Sequence, residues 1–456
     1  MNKEYLKNVI IDQQKDILEK IMNTNVISRE GADRCERYIR YPNVLLITGL
    51  RRAGKSFFAS QLVKNKKYAY LNFDDERLIE FNIQDFNLIL ECFYELYPDF
   101  EYLLFDEIQN VGGWELFVSR LRDKYKIIIT GSNANLLSKE MATHLTGRYS
   151  DFVLFPMSFR EYLDYNNVGI ISSYSTTERS KITSFFDRYV KESSIFDYYK
   201  FGKEFLRNLW ASVIVKDITI RYKIKYPSVL EKLSVMLINY FTSKISISNL
   251  TRNLKVKSPN TVAEYIRYLE NSFLVFTLNK FSYKIKEQLL TFKKIYIMDN
   301  GFINAMIFNF SENRGKLLEN IVAIELKRRS IRDDFEIFYW DNYYVECDFI
   351  IKKGKQVISA YQVCSELNIN NKEREISGLT AAMKEFGLKN GTILTESTED
   401  EISINSSKIQ VTPVWKWLLS EFSMVSENNS NSEIYADLVS KRDFLQKSKM
   451  QNSFIV

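Results

Sequence analysis

One histidine, His144, stands in 456 residues. That excludes a histidine-rich metal centre and argues against a histidine-based catalytic triad. Four cysteines, Cys35, Cys92, Cys347 and Cys364, fall at no paired spacing. They form neither a disulfide framework nor a zinc site, and a reducing cytoplasm is the simple reading. Glycine (15) and proline (6) are scarce beside 14% aromatic residues, which points to tight cores and short loops rather than disorder. No apolar run reaches the roughly 18 residues that a membrane span needs. The opening "MNKEYLKNVIIDQQKD" is charged throughout, unlike a signal peptide. A net charge of +6 permits nucleic-acid binding without arguing for it. The length gives room for about two to four domains.

What the chain does have begins at "ITGLRRAGKSFF", Ile47 to Phe58. The apolar run Val44–Ile47 reads as a buried strand, and "KSFFASQLV" as the helix that follows. Between them lies Gly-x4-Gly-Lys-Ser, with Gly49 and Gly54 giving backbone freedom. A loop of this kind turns its N–H groups around phosphate oxygens at the positive end of a helix. Gly49, Leu50, Arg51, Arg52, Ala53, Gly54, Lys55, Ser56 and Phe57 are the candidate ATP-binding residues. Lys55 suits the outer phosphates and the Ser56 hydroxyl a magnesium ion.

A second buried-strand run, "EYLLFDEIQNV", ends in Asp106-Glu107. Asp106 is the expected metal residue with Ser56, and Glu107 the expected base that orients or deprotonates the attacking water. A third strand, "KYKIIITGSNANLL", ends in Ser132 and Asn133. Either could sense the γ-phosphate, and either could serve as a helix N-cap.

"ITGLRRAGKS", "LLFDEIQNVGGWE", "IITGSNANLLSKE" and "LTGRYSDFVLFPMSFREYL" together resemble the AAA-type ATPases of the archaeal-ATPase group, which carry a C-terminal domain of unknown function. The likeness runs from about Ile27 to Leu419. It implies an ATP-hydrolysing α/β core using ATP and Mg2+, and a homo-oligomeric ring such as a hexamer. It also places Arg148 of "TGR" where an arginine finger would reach into a neighbour's site.

The expected fold class is α/β, with a P-loop AAA-type ATPase domain, a winged-helix domain and a restriction-endonuclease-like domain. Residues 1–40 read as a helix and connector, 41–165 as the ATPase core, and 166–227 as a helical lid or bridge. Residues 228–299 read as a winged helix: three helices, the third opened by Ser258 as cap and Pro259, then two strands as a hairpin. Arg252, Lys255, Lys257, Arg267 and Lys280, with Lys284 and Lys286, are candidate phosphate contacts. Glu264 and Glu270 on the third helix oppose them.

Residues 300–420 follow an α-β-β-β-α-β order that resembles the PD-(D/E)xK nuclease fold. The likeness implies a magnesium site at Glu319, Asp348 and Gln362, whose oxygens suit a hard cation. The motif's lysine falls on Cys364, and Lys352, Lys353 and Lys355 are near it only in sequence. A module that binds without cutting is therefore expected. Residues 421–456 are a polar tail in which "SEIYADLVSKRDFLQK" could form a helix.

The function expected is an ATPase whose turnover drives DNA binding or remodelling. The alternatives are an ATP-gated magnesium-dependent nuclease, and a signalling switch of the STAND type that acts through protein contacts.

Overall fold

The computed structural model describes residues 1–23, 27–41, 43–97, 99–133, 149–171, 174–307, 314–369, 371–404 and 407–420. Arg148, His144 and the tail from 421 lie outside the described residues. The first described elements are α1 (Lys3–Asn23), α2 (Ala32–Tyr38), β1 (Val44–Thr48), α3 (Lys55–Val63), β2 (Tyr68–Asn72), α4 (Phe86–Leu96), β3 (Tyr102–Asp106), α5 (Trp114–Leu121), β4 (Lys126–Gly131), β5 (Tyr149–Val153) and α6 (Phe159–Tyr165).

Strands β1 to β5 pair in the order β2-β3-β4-β1-β5, every neighbour parallel. A parallel sheet needs cover on both faces, so its strands read as unbroken apolar runs. Val44 and Leu46 face one core, with Phe105, Ile129, Phe93 and Trp114. Leu45 and Ile47 face the other, with Leu104, Ile128, Phe58 and Leu62 of α3. Each such side chain, fully buried, contributes roughly 1.5–3 kcal/mol. Register sets Thr48 beside Gly131 and Asp106 beside Thr130. The loop after β1, the acidic pair after β3 and the polar end of β4 therefore share one edge, the carboxyl edge at which open α/β sheets bind ligands.

The chain continues through α7 (Thr176–Lys191) and α8 (Tyr198–Ser212). Ser175 and Glu178 open α7 with a reciprocal capping box. Gly202, at φ 67°, kinks α8, which runs on into a π-helical turn over Val213–Ile220. Then come α9 (Pro227–Asn239), β6 (Lys244–Ile245), α10 (Ile247–Asn253), α11 (Pro259–Asn271), β7 (Val275–Leu278), α12 (Ile285–Leu290) and β8 (Lys293–Ile297). The strands form a small antiparallel sheet, β6-β8-β7. Two details differ from the sequence reading. Ser258 sits at the N-cap of α11 but its side chain makes no capping hydrogen bond. The two strands expected as a simple hairpin are separated by α12.

The remaining elements are α13 (Asn300–Met306), α14 (Arg314–Asp333), β9 (Glu336–Asp341), β10 (Glu346–Lys353), β11 (Gln356–Val363), α15 (Lys372–Phe386), β12 (Asn390–Thr395), β13 (Asp400–Ile404), β14 (Ser407–Pro413) and α16 (Val414–Leu419). Their sheet runs β13-β14-β12-β11-β10-β9, two strands beyond the expected pattern.

This sheet and the small one are joined. The Phe281 N–H donates to Tyr339 O at 2.7 Å, and the Tyr339 N–H to Asn279 O at 3.2 Å. Asn320 of α14 grips β8: its Nδ2 donates to Ile297 O (2.8 Å) and its Oδ1 accepts from Ile297 N–H (2.9 Å).

Candidate functional site

The loop between β1 and α3 is shaped by contacts that only glycine allows. At Gly49, φ 147°, a Cβ would lie 2.2 Å from Leu154 O. Gly54, at φ 93°, is the left-handed N-cap of α3. Arg29 clamps the loop from outside: its Nη1 donates to Ala53 O (3.1 Å) and its Nη2 to Phe155 O (2.6 Å). Its guanidinium also lies 3.1 Å from Glu161.

Lys55 is buried, with Nζ donating to Gly49 O (3.2 Å) and Leu50 O (3.1 Å) and 4.0 Å from the Glu107 carboxylate. Burial lowers its pKa, and Glu107 opposes that. Leu50 and Ala53 are buried, Ser56 and Phe57 half-buried. Arg51 and Arg52 point away from the loop, to Asp217 (3.1 Å) and Asp74 (2.9 Å), and to Asp197 (3.6 Å).

Asp106 accepts from the Thr130 hydroxyl, and the Ser56 hydroxyl favours its charged form. Burial, then the neighbouring Glu107 charge, push its pKa up. Glu107 adopts φ 51°, and its Oε2 accepts from Gln109 and lies 3.4 Å from Ser132 Oγ. Ser132 Oγ is also 3.3 Å from Asp217 Oδ1, so one hydroxyl proton serves two carboxylates. Asn133 turns elsewhere and donates to the Tyr222 hydroxyl at 2.8 Å. Of the two, Ser132 is the one beside Glu107.

Asp217 was not singled out by the sequence reading. It comes from the π-helical turn and is buried, and its Oδ2 has no hydrogen-bond partner among the described residues. A lone carboxylate in the apolar run "VIVKDITI" was its only signal. Tyr222, just beyond, stacks on Tyr268 of α11 with ring centroids 4.0 Å apart. The nucleotide edge is thus in physical contact with α11. Arg29 had no motif to mark it.

The expected DNA contacts divide. Arg252, Lys255, Lys257 and Arg267 are exposed. Lys280 is instead held 2.7 Å from Asp341. Glu270 turns inward, accepting from the Thr277 N–H (3.0 Å) and hydroxyl (2.6 Å).

Glu319 of α14, Asp348 of β10 and Gln362 of β11 meet at a cavity of about 980 Å³. Cys364 leaves the motif's lysine position without a charge, but the fold brings a lysine to the cluster from another element. Lys294 of β8, buried, brings Nζ to 3.1 Å from Glu319, 2.9 Å from Asp348 and 2.5 Å from Glu346. Burial works against its charge, but Asp348 and Glu319 outweigh that and hold the ammonium well above the ordinary lysine value. Cys364 itself is buried, its thiol pushed up to about 12 by burial. Lys352 pairs with Glu336 instead.

An AAA-domain family matches residues 41–163. Two families described as domains of unknown function, DUF8612 and DUF4143, match residues 194–313 and 314–417. The uncharacterized protein MJ1544 of Methanocaldococcus jannaschii is 34% identical over 430 residues, covering 89% of this chain and 96% of that one. The chain belongs to this protein's family. An uncharacterized Haemophilus influenzae protein is 32% identical over 373 residues, 78% of this chain and 90% of its own. Among solved structures, the Walker-type ATPase PABY2304 of Pyrococcus abyssi aligns at TM-score 0.41 and 15% identity, covering 62% of this chain and 96% of that one. Residues 41–163 of this family member are an AAA-type P-loop ATPase domain. Among the described residues no helix is long and apolar enough to cross a membrane.

Proposed function

We propose that the chain hydrolyses ATP and uses the turnover to move the modules after residue 166, in a homo-oligomeric ring that acts on DNA. The observation that carries the ATPase part is the meeting of Lys55, Ser56, Asp106, Glu107 and Ser132 at one sheet edge, inside an AAA domain. Lys55 is the point charge for the outer phosphates of the substrate. Among the described residues its amino group donates hydrogen bonds to carbonyls of its own loop and keeps the Glu107 carboxylate 4.0 Å away, so phosphate can replace the carbonyl partners without a buried charge being stranded.

Asp106 and Ser56 fit magnesium. They are hard oxygen donors on adjoining elements, and a buried carboxylate whose proton affinity is raised gains from a cation. When bound there, Mg2+ supplies charge neutralisation for the transferring phosphoryl group. Glu107 accepts a proton from water or holds that water in line, with Gln109 fixing its carboxylate. Ser132, and Asn133 through Tyr222, report the γ-phosphate. Arg148 serves a neighbouring subunit's site.

The coupling route in this reading starts at Asp217 and Tyr222. Asp217 bonds Arg51 and stands beside Ser132, and Tyr222 touches both Asn133 and α11. We read residues 228–299 as a winged helix whose Arg252, Lys255, Lys257 and Arg267 face phosphate. We read 300–420 as a nuclease-like module. One assay tests the whole: ATPase rate with and without single-stranded and duplex DNA, with cleavage read on a gel. DNA-stimulated turnover without cleavage is expected, and Glu107→Gln should lower turnover by roughly 10²-fold with ATP binding kept. Slow turnover that ignores DNA would replace the DNA role with a signalling switch, and a Glu107→Gln protein at wild-type rate would remove the base.

A further inference from the structure

In the nuclease-like reading, on which this inference rests, the acid cluster around Glu319 and Asp348 should bind magnesium. The side chains present do not fit that ion. An ammonium has three N–H donors, and Lys294 has three carboxylates around its Nζ, at 3.1, 2.9 and 2.5 Å. The expected ligands are also turned toward protein partners. Asp348 Oδ2 accepts from the Val363 N–H at 3.0 Å. Gln362 Oε1 accepts from the Asp348 N–H at 3.3 Å, and its Nε2 donates to Glu375 at 2.7 Å. Glu319 Oε1 takes the Tyr296 hydroxyl as well, at 2.9 Å. Mg2+ demands near-octahedral oxygen ligation at short range and tolerates no second cation inside that shell.

Lys294 cannot easily swing away. Its strand is fixed to α14 by the paired Asn320–Ile297 bonds, and the neighbouring Tyr296 ring packs 5.9 Å from that of Phe349. The rim repeats the pattern: Lys244 lies 2.7 Å from both Asp341 and Glu346. The carboxylates here are paired with ammoniums from within the chain, across two sheets. Among the described residues no group of three or more His, Cys, Asp or Glu is placed to hold a metal.

We infer that Lys294 is the resident cation of this cavity, filling among Glu319, Glu346 and Asp348 the position a divalent metal takes in a cutting nuclease. The site then has no metal to activate water. It works as an ionic joint between the small sheet and the large one, and the module does not cleave phosphodiesters.

The test uses the full chain with Lys55→Ala, which removes nucleotide-linked metal, and no nucleotide. Mn2+ is the probe, read by electron paramagnetic resonance, with thermal melting in millimolar Mg2+ alongside. With Lys294 present, no Mn2+ should bind at the cluster and melting should ignore Mg2+. Lys294→Met should melt several degrees lower without metal and regain most of that loss with Mg2+ or Mn2+, because three carboxylates freed of their ammonium form a hard-oxygen site. Should Lys294→Met not fold, Asp348→Asn and Glu319→Gln carry the test in the Lys294-intact protein. Neither should change Mn2+ uptake or the response to Mg2+. Mn2+ binding by the Lys294-intact protein, abolished by Asp348→Asn, would overturn the resident-cation assignment and leave the nuclease-like reading standing. A Lys294→Met protein that melts normally and takes up no metal would overturn both.

Discussion

The Asn133 side chain donates to the Tyr222 hydroxyl across 2.8 Å, so the polar stretch that follows β4 is bonded to the segment that leads into the C-terminal modules. Tyr222 then lies flat on Tyr268 of α11, 16° from parallel. A hydrogen bond of this kind contributes about 1 kcal/mol net, and an aromatic pair about 0.5–1.5 kcal/mol beyond area burial.

The first prediction separates those two contributions. Tyr222→Phe should cost about 1 kcal/mol of unfolding free energy, and Tyr222→Leu about 2 kcal/mol. Urea melts measure both. Equal costs would mean that the ring stack carries nothing, and a Tyr222→Phe protein as stable as wild type that the hydroxyl carries nothing.

A second prediction concerns Asp106 and pH. Its folded-state pKa is raised above the ordinary 3.8, mainly by burial. The folded chain therefore holds a proton that the unfolded chain has lost, and this contribution to stability fades as pH rises from 3.8 through the folded value. Asp106→Asn has no proton to lose. It should be more stable than wild type near neutral pH without nucleotide, with a flatter melting profile over that window, and inactive as an ATPase. A variant less stable than wild type at pH 7 would show that the carboxylate is already compensated.

Assembly gives the third. Arg148→Ala should bind ATP but lose turnover. Mixing it with Lys55→Ala, also inactive, should restore part of the rate, since an intact Lys55 site can then meet an intact Arg148. No recovery on mixing, or an ATP-bound monomer by sedimentation, counts against a shared site.

The fourth concerns DNA. Each phosphate contact should contribute roughly −0.9 to the slope of log affinity against log salt. Changing Arg252, Lys255 and Lys257 together to Glu should weaken binding to all sequences alike and flatten that slope. Lys280→Glu should act mainly on stability, because it would set a carboxylate beside Asp341, which Lys280 now approaches to 2.7 Å. Fluorescence anisotropy over a salt series distinguishes the two.

Much of the ATPase sheet could be read directly. Val44–Ile47, Leu103–Phe105 and Ile127–Ile129 are unbroken apolar runs because both sheet faces are covered, and the polar residues that follow each run sit at the carboxyl edge. The helix-strand-strand order likewise brings Glu319, Asp348 and Gln362 to one cavity. What escaped were contacts from remote segments. Asp217 reaches Arg51 from 166 residues away, and Lys294 reaches Asp348 across 54. Periodicity shows which face of an element is buried, not which distant element lies against it. A lysine in "KKIYIMD" reads as a strand-end charge until the fold sets it among three carboxylates. Ser258 misled for a related reason, since a good cap residue need not use its side chain.

Asn320 and Lys294 also limit how this chain can be taken apart. A fragment beginning at α14 would keep Glu319, Glu346 and Asp348 but lose their ammonium, and would leave the Asn320 amide facing water instead of β8. A fragment ending before α14 would strand Lys294 with no carboxylate. The boundary at which the matched families meet, between residues 313 and 314, is therefore a seam in sequence and not in the folded protein. Gene fusions or module exchanges that cut there should yield insoluble halves, whereas cuts that carry β8 along with α14 should not.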